Sequence, residues 1–151
     1  TRTKVDARSL MVAATRDSVG LVGDGDGTFI FPQFHPGGDG LMAIVKLLEL
    51  MAVHKTGLTE ITDSLPLYFT AQVKVPCPWE DKGRVMRMLN ERFKEAQGRQ
   101  IDGVRIELGE EWVLILPDPD QPLFHVFAEG TTSQQAAEHA DRYEEVVSDH
   151  R

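Results

Sequence analysis

The chain has 151 residues, with 41% hydrophobic and 26% charged side chains, which suffices to bury a core in one domain or in two small units. Its net charge of -8 and pI near 5.0 leave no surplus of Lys and Arg to meet a phosphate backbone, so general nucleic-acid binding is excluded. The apolar stretch 41–53 is interrupted by Lys46 and Glu49 and is too short to span a membrane.

The amino end, TRTKVDARS, lacks the apolar core of a signal peptide, and a single cysteine, Cys77, forms no internal disulfide. A reducing cytoplasm is the expected compartment. Starting at Thr1 rather than Met, the chain reads as a processed or excised piece of a longer one.

In chain order, 6–15 carries small and apolar residues at helical spacing, 19–22 is strand-like, and the glycine-rich VGDGDG follows as a loop. The run 28–31 is again β-prone, and Pro36 with Gly37 and Gly38 stops regular structure. Asp39 is placed to cap a helix over 41–53, where Leu41, Ile44, Val45, Leu48 and Met51 recur at three- and four-residue steps; this predicts a strongly amphipathic or mostly buried helix. Gly57 lies past its end. In LTEITDSLP, Thr59 offers an N-cap with Glu60 in the first turn, and Pro66 closes a short helical link between two units.

The second unit reads as a strand at 67–75, a helix at 79–97, strands at 103–108, 112–116 and 123–129, and a helix at 133–147. Gly109-Glu110 is a tight turn, so the middle strands form a hairpin. Val85, Met88, Leu89 and Phe93 make one apolar stripe on the first helix, to lie on one face of the sheet, with Lys82, Arg84 and Arg87 around it as a basic patch, either a solvated helix face or a surface that meets acidic groups of the missing domains. The predicted fold class is α+β: a partial α/β unit at 1–66, then a β-α-β-β-β-α unit at 67–151 with helices on an antiparallel sheet. Between the runs WVLIL and LFHVFAE sits the acidic loop Pro117-Asp118-Pro119-Asp120-Gln121-Pro122, fenced by prolines.

Two runs carry a family resemblance. GLVGDGDGTFIFPQFHPGGDGLMAIVKLLELMA resembles the end of the third domain of the alpha-D-phosphohexomutases, the phosphomannomutase and phosphoglucomutase family, where a GGExSGH sugar-binding loop precedes DG and a helix. DGVRIELGEEWVLILPDPDQPLFHVFAEG resembles their fourth domain, where DG, a hairpin, the phosphate loop RPSGTEP and a further strand occur in that order. The resemblance implies that 1–66 is the end of the third domain and 67–151 the whole of the fourth.

Aligned through Pro117 and Pro122, the family arginine falls at Leu116, and its Ser, Gly, Thr and Glu at Asp118, Pro119, Asp120 and Gln121. This implies a degenerate phosphate loop. Arginine grips a phosphate dianion with paired charge-assisted bonds; Leu116 has none to give, and Pro119 removes a backbone donor. Each carboxylate at about 6 Å from a phosphate charge costs roughly 3 kcal/mol at an effective dielectric near 20.

In the first loop the family positions fall on Asp24, Asp26 and Thr28, which become sugar-binding candidates, the alternative being a plain acidic turn. DGDG also resembles the family's DGDGDR magnesium loop, but two carboxylates are too few oxygen ligands, so no metal is assigned to this chain and any Mg2+ belongs to the longer protein. The phosphoserine loop of the family is absent, so no catalytic residue is assigned here.

The phrases FIFPQFHP, VPCPWEDKGRVMR and LPDPDQPLFHVFAE are similar to the mutase-like carboxyl region of bacterial mannose-1-phosphate guanylyltransferases. The resulting expectation is a noncatalytic carboxyl-terminal piece of a phosphohexomutase-like protein of nucleotide-sugar metabolism, with a guanylyltransferase parent. The alternatives are the substrate-binding part of an active phosphohexomutase, or an oligomerisation or regulatory module. Expected partners are the amino-terminal domains of the longer protein, weakly a sugar phosphate, and a second copy, with no membrane and no nucleic acid. Cys77 reads as a structural thiol, Trp79 and Trp112 as core or staple residues, and His125 as hydrogen-bonded or at the surface.

Overall fold

The computed structural model describes residues 2–4, 6–95 and 101–149 and divides the chain into two compact units, Thr1–Pro66 and Leu67–Arg151. Both mix helix with antiparallel strands. Among the described residues, no helix is long and apolar enough to cross a membrane.

In the first unit, α1 (Ala7–Ala14) begins where the Asp6 carboxylate accepts from the Ser9 amide at 2.8 Å. Its Leu10 and Ala14 are buried with Val22 of β1 (Val22–Gly23) and Ile30 of β2 (Phe29–Ile30). These strands are shorter than the sequence suggests. The Val19 amide turns back to the Arg16 carbonyl at 3.1 Å, and the Phe34 and His35 amides both bond to Phe31 at 2.9 Å, so turns consume the ends of each β-prone run. What remains is a two-residue ladder pairing Val22 with Ile30 and Gly23 with Phe29.

Helix α2 (Gly40–His54) is capped by Asp39, which accepts from the Met42 amide at 2.8 Å. The expectation of a mostly buried helix fails: no α2 residue is buried, and Leu41 is 79% and Val53 71% exposed. The buried core of this unit is built from Leu10, Ala14, Val22 and Ile30, none of them on α2. The left-handed residue at the helix end is Lys55, with φ 53°, and Gly57 instead caps α3 (Leu58–Ser64). Glu60, not Thr59, makes that start: its carboxylate accepts from the Gly57 amide at 3.0 Å and the Thr56 hydroxyl at 2.6 Å.

The second unit follows the predicted order: β3 (Phe69–Pro76), α4 (Trp79–Arg92), β4 (Val104–Leu108), β5 (Glu111–Pro117), β6 (Leu123–Gly130) and α5 (Ser133–Ser148). Every neighbouring pair in the sheet, ordered β3-β6-β5-β4, is antiparallel. Helix α4 ends at Arg92 with Phe93 as its C-cap, short of the expected Gln97, which lies outside the described residues.

Strict alternation along β6 buries Phe124, Val126, Ala128 and Gly130 and turns His125, Phe127 and Glu129 to the other face. Val85 and Leu89 of α4 and Ala140, Tyr143 and Val147 of α5 close the buried side, and the Phe93 and Tyr143 rings meet at 5.5 Å. Gly130 permits the start of α5 to sit on the sheet, because a Cβ there would lie 2.6 Å from the Ala136 amide nitrogen.

Gly103 leads into β4 at φ +58°, and a Cβ on it would fall 2.3 Å from the Ile115 carbonyl oxygen. Left-handed backbone alone costs a side chain about 1–2 kcal/mol, and the neighbouring strand cannot retreat without breaking its ladder. Gly103→Ala should lower unfolding free energy in urea by at least about 2 kcal/mol. An unchanged midpoint would show that the β4–β5 register tolerates a shift.

Candidate functional site

The β5–β6 ladder ends with Pro117 opposite Phe124, leaving 118–122 to reverse the chain. The Asp118 amide bonds to the Leu123 carbonyl at 3.0 Å and the Leu123 amide to the Gln121 carbonyl at 2.8 Å. Inside this loop the Asp118 side chain folds inward. Its Oδ1 accepts from the amides of Asp120 and Gln121, both at 2.8 Å, and its Oδ2 lies 2.7 Å from His125 Nε2.

His125 reaches the loop because β6 alternation sends it to the face opposite the core. Its Nδ1 lies 3.0 Å from the Gln72 amide nitrogen on β3. With Gln72 donating, His125 carries its proton on Nε2 and donates to Asp118, so three side chains form one directed relay. The hydrogen bond from His125, and then the Asp120 amide, hold the Asp118 carboxyl below the usual aspartate range, against the opposing pull of partial burial.

Beneath the loop lies Lys82, only 9% exposed. Its ammonium donates to the carbonyl oxygens of Asp118 and Gln121 and sits 3.9 Å above the Trp79 ring. This corrects the reading of Lys82 as part of a solvated face and of Trp79 as a core residue, since Trp79 is 52% exposed and serves as the platform for the ammonium. Trp112 is likewise only half-buried, with the Arg105 guanidinium 4.3 Å over its ring. The missed signal is tertiary: β3 pairs Pro76 with Leu123, and the Cys77 amide bonds to the Pro122 carbonyl at 2.8 Å, which brings the first turn of α4 against the loop. Cys77 itself is fully buried.

Each position of the loop thus has a distinct place. Leu116 lies beside His125 in register and offers only hydrocarbon; Pro119 has no amide hydrogen; Gln121 spends its backbone on Asp118 and Lys82. Asp120 is exposed, and it is its amide that bonds into the loop, donating to Asp118 Oδ1. The two acids that flank Pro119 are therefore unlike: one is a structural acceptor, the other a surface charge.

The other candidate loop is closed in a similar way. Asp24 Oδ1 accepts from the amides of Asp26 at 3.0 Å and Thr28 at 2.8 Å, while the Asp24 amide bonds to the Thr28 carbonyl at 3.2 Å. Partial burial pushes the Asp24 carboxyl up, but hydrogen bonds from Thr28, Asp26 and Gly27 outweigh it and leave the group lowered. Asp24 and Thr28 are spent on the β1–β2 turn, Asp26 is exposed, and among the described residues no three His, Cys, Asp or Glu side chains are grouped to hold a metal.

Removing the ammonium under the acidic loop should be costly. Lys82→Met takes the ammonium from the Asp118 and Gln121 carbonyls, of which Gln121 keeps the Leu123 amide, and should destabilise the second unit by about 1–3 kcal/mol in urea. A loss below about 0.5 kcal/mol would mean that water replaces the ammonium without penalty. The Asp118 carboxyl, lowered in the folded state, contributes stability above the ordinary aspartate pKa of about 3.9, and that stability is lost as pH falls through the folded value. Unfolding midpoints of the wild type and Asp118→Asn should differ near about pH 6 and converge below about pH 4; a gap that persists in acid would contradict a charged acceptor.

With both loops described, the relatives can be set beside them. Residues 1–68 match the family model for phosphoglucomutase/phosphomannomutase, alpha/beta/alpha domain III. The chain is 31% identical over 148 residues to a probable phosphoglucosamine mutase of Methanopyrus kandleri, covering 97% of this chain and 33% of that protein. It is 30% identical over 141 residues to the phosphoglucosamine mutase of Methanocaldococcus jannaschii, covering 91% of this chain and 31% of that protein. A crystal structure of a phosphoglucomutase/phosphomannomutase family protein from Burkholderia thailandensis superposes with a TM-score of 0.77 at 18% identity, over 96% of this chain and 31% of that one, a likeness of fold. The chain spans about a third of the length of these relatives. Residues 1–68 are thus similar to the phosphoglucomutase/phosphomannomutase domain III family, and the similarity to phosphoglucosamine mutases runs through both units.

Proposed function

We propose that this chain is the substrate-binding portion of an active phosphohexomutase that acts on a hexosamine or hexose phosphate, with its catalytic residues on polypeptide outside these 151 residues. The observation that carries the reading is continuous similarity to phosphoglucosamine mutases across 97% of the chain, spanning both units. The relatives favour this over a mannose-1-phosphate guanylyltransferase parent, and they lend nothing to the idea of an inactive piece. In this reading the amino-terminal domains are the chief partner and any Mg2+ is held by them, and the β1–β2 turn, closed by Asp24 and Thr28, presents the exposed Asp26 to the sugar. A cytoplasmic location fits the single buried thiol.

A second reading draws on α2, whose Leu41, Ile44, Leu48 and Val53 are exposed and apolar, as an oligomerisation module would require. A chimera separates the two. The matched third of the Methanopyrus kandleri protein is replaced by this chain, and interconversion of glucosamine 6-phosphate and glucosamine 1-phosphate is followed. Turnover above that of the truncated relative is expected. A folded chimera without turnover would sink the mutase reading, and self-association of the chain alone would then favour the module.

A further inference from the structure

We infer that the face of the β3-β6-β5-β4 sheet turned away from α4 and α5 is a docking surface for a second copy of this chain, laid face to face about a twofold axis. The helix residues of the core pack on the side that carries Val113, Ile115, Phe124 and Val126. On the opposite side the register aligns Gln72, Phe127, Leu114 and Arg105 in one row across the four strands. Phe127 and Leu114 form the apolar centre of that row, partly exposed and outside the helix-covered core.

Charge says what fits against it. Lys74, beside His125, stands two residues to one side of the row, and Glu129, beside Thr70, stands two residues to the other, roughly 13 Å away along the strands. Among the described residues neither has an ion-pair partner, whereas the charges around them are spent: Arg105 is paired with Glu107 and His125 with Asp118, each at 2.7 Å. A lone cation and a lone anion set evenly about an apolar row make the face complementary to itself. Turning a second copy by 180° about an axis along the row sets Phe127 and Leu114 against their own counterparts and brings each Glu129 to the Lys74 end of the partner subunit, so one ion pair forms twice. Arg105, at the edge of the row, leans off the axis, over the Trp112 ring and toward Glu107, so like charges do not meet there.

The patch is small. Three rows on strands about 4.8 Å apart bury well under the roughly 1,200 Å² of total surface that stable complexes reach, so the association is weak and exchanges rapidly. It goes beyond the mutase reading and does not depend on it, because self-association is read without turnover. It is also separate from α2, whose apolar residues lie in the other unit.

The test is a concentration series of the isotope-labelled full chain up to about 1 mM, followed by nuclear magnetic resonance at the Phe127 and Leu114 amides. Salt near about 0.1 M screens the long-range repulsion between two acidic chains and spares a contacting pair. Shifts at both amides that follow one saturating curve are expected. Lys74→Glu and Glu129→Lys, each at the surface, should separately weaken association at least about fivefold, and an equimolar mixture of the two should recover it, since opposite charges then face each other again. Glu129→Lys reduces the net negative charge, so repulsion between whole chains cannot account for its weakening. Amides that do not move with concentration would overturn the inference, as would shifts confined to α2, which would assign self-association to that helix. So would single variants that associate as the wild type does, or a mixture that recovers nothing.

Discussion

The pairing of β3 with β6 governs the second unit. These strands are distant in sequence, yet their register sets Lys74 beside His125 and Pro76 beside Leu123. From that register follow the hydrogen bond of Gln72 to His125, the seat of α4 against the loop, and the access of Lys82 to two loop carbonyls. A slip by one residue would turn every side chain of β3 to the wrong face and dissolve the relay at Asp118 together with the core.

Local features of this unit were legible in the sequence because local physics decides them. Alternation in LFHVFAEG, the turn at Gly109-Glu110 and the stripe of Val85, Met88, Leu89 and Phe93 depend on short-range periodicity, and the structure follows them. The fate of Lys82 was not legible. Its neighbours on α4 give it the look of a solvated cation, and only the non-local β3–β6 ladder reveals that it faces backbone oxygens. The same holds for the two aspartates: their spacing predicts a shared repulsive surface, whereas the fold converts Asp118 into an internal acceptor.

The first unit differs because its largest apolar element contributes nothing to its own core. Helix α2 has the composition of a buried helix and the exposure of a surface one, while four residues from α1, β1 and β2 form the buried cluster. Periodicity predicted the helix and Asp39 its start; it could not report what lies against the apolar faces, since that is a property of the whole assembly. An exposed run of this kind fits a chain that spans about a third of its relatives.

The loop above Lys82 is held through its main chain. The ammonium grips main-chain oxygens, and the Cys77 amide grips another at Pro122. Scaffolding that bonds to the backbone is indifferent to which side chains the loop displays, provided that each position can adopt the same dihedral angles. The tip at Pro119 and Asp120 is therefore open to drift, and its chemistry can be rewritten over generations while the curve of the chain is retained. Such an arrangement separates the inheritance of shape from the inheritance of reactivity.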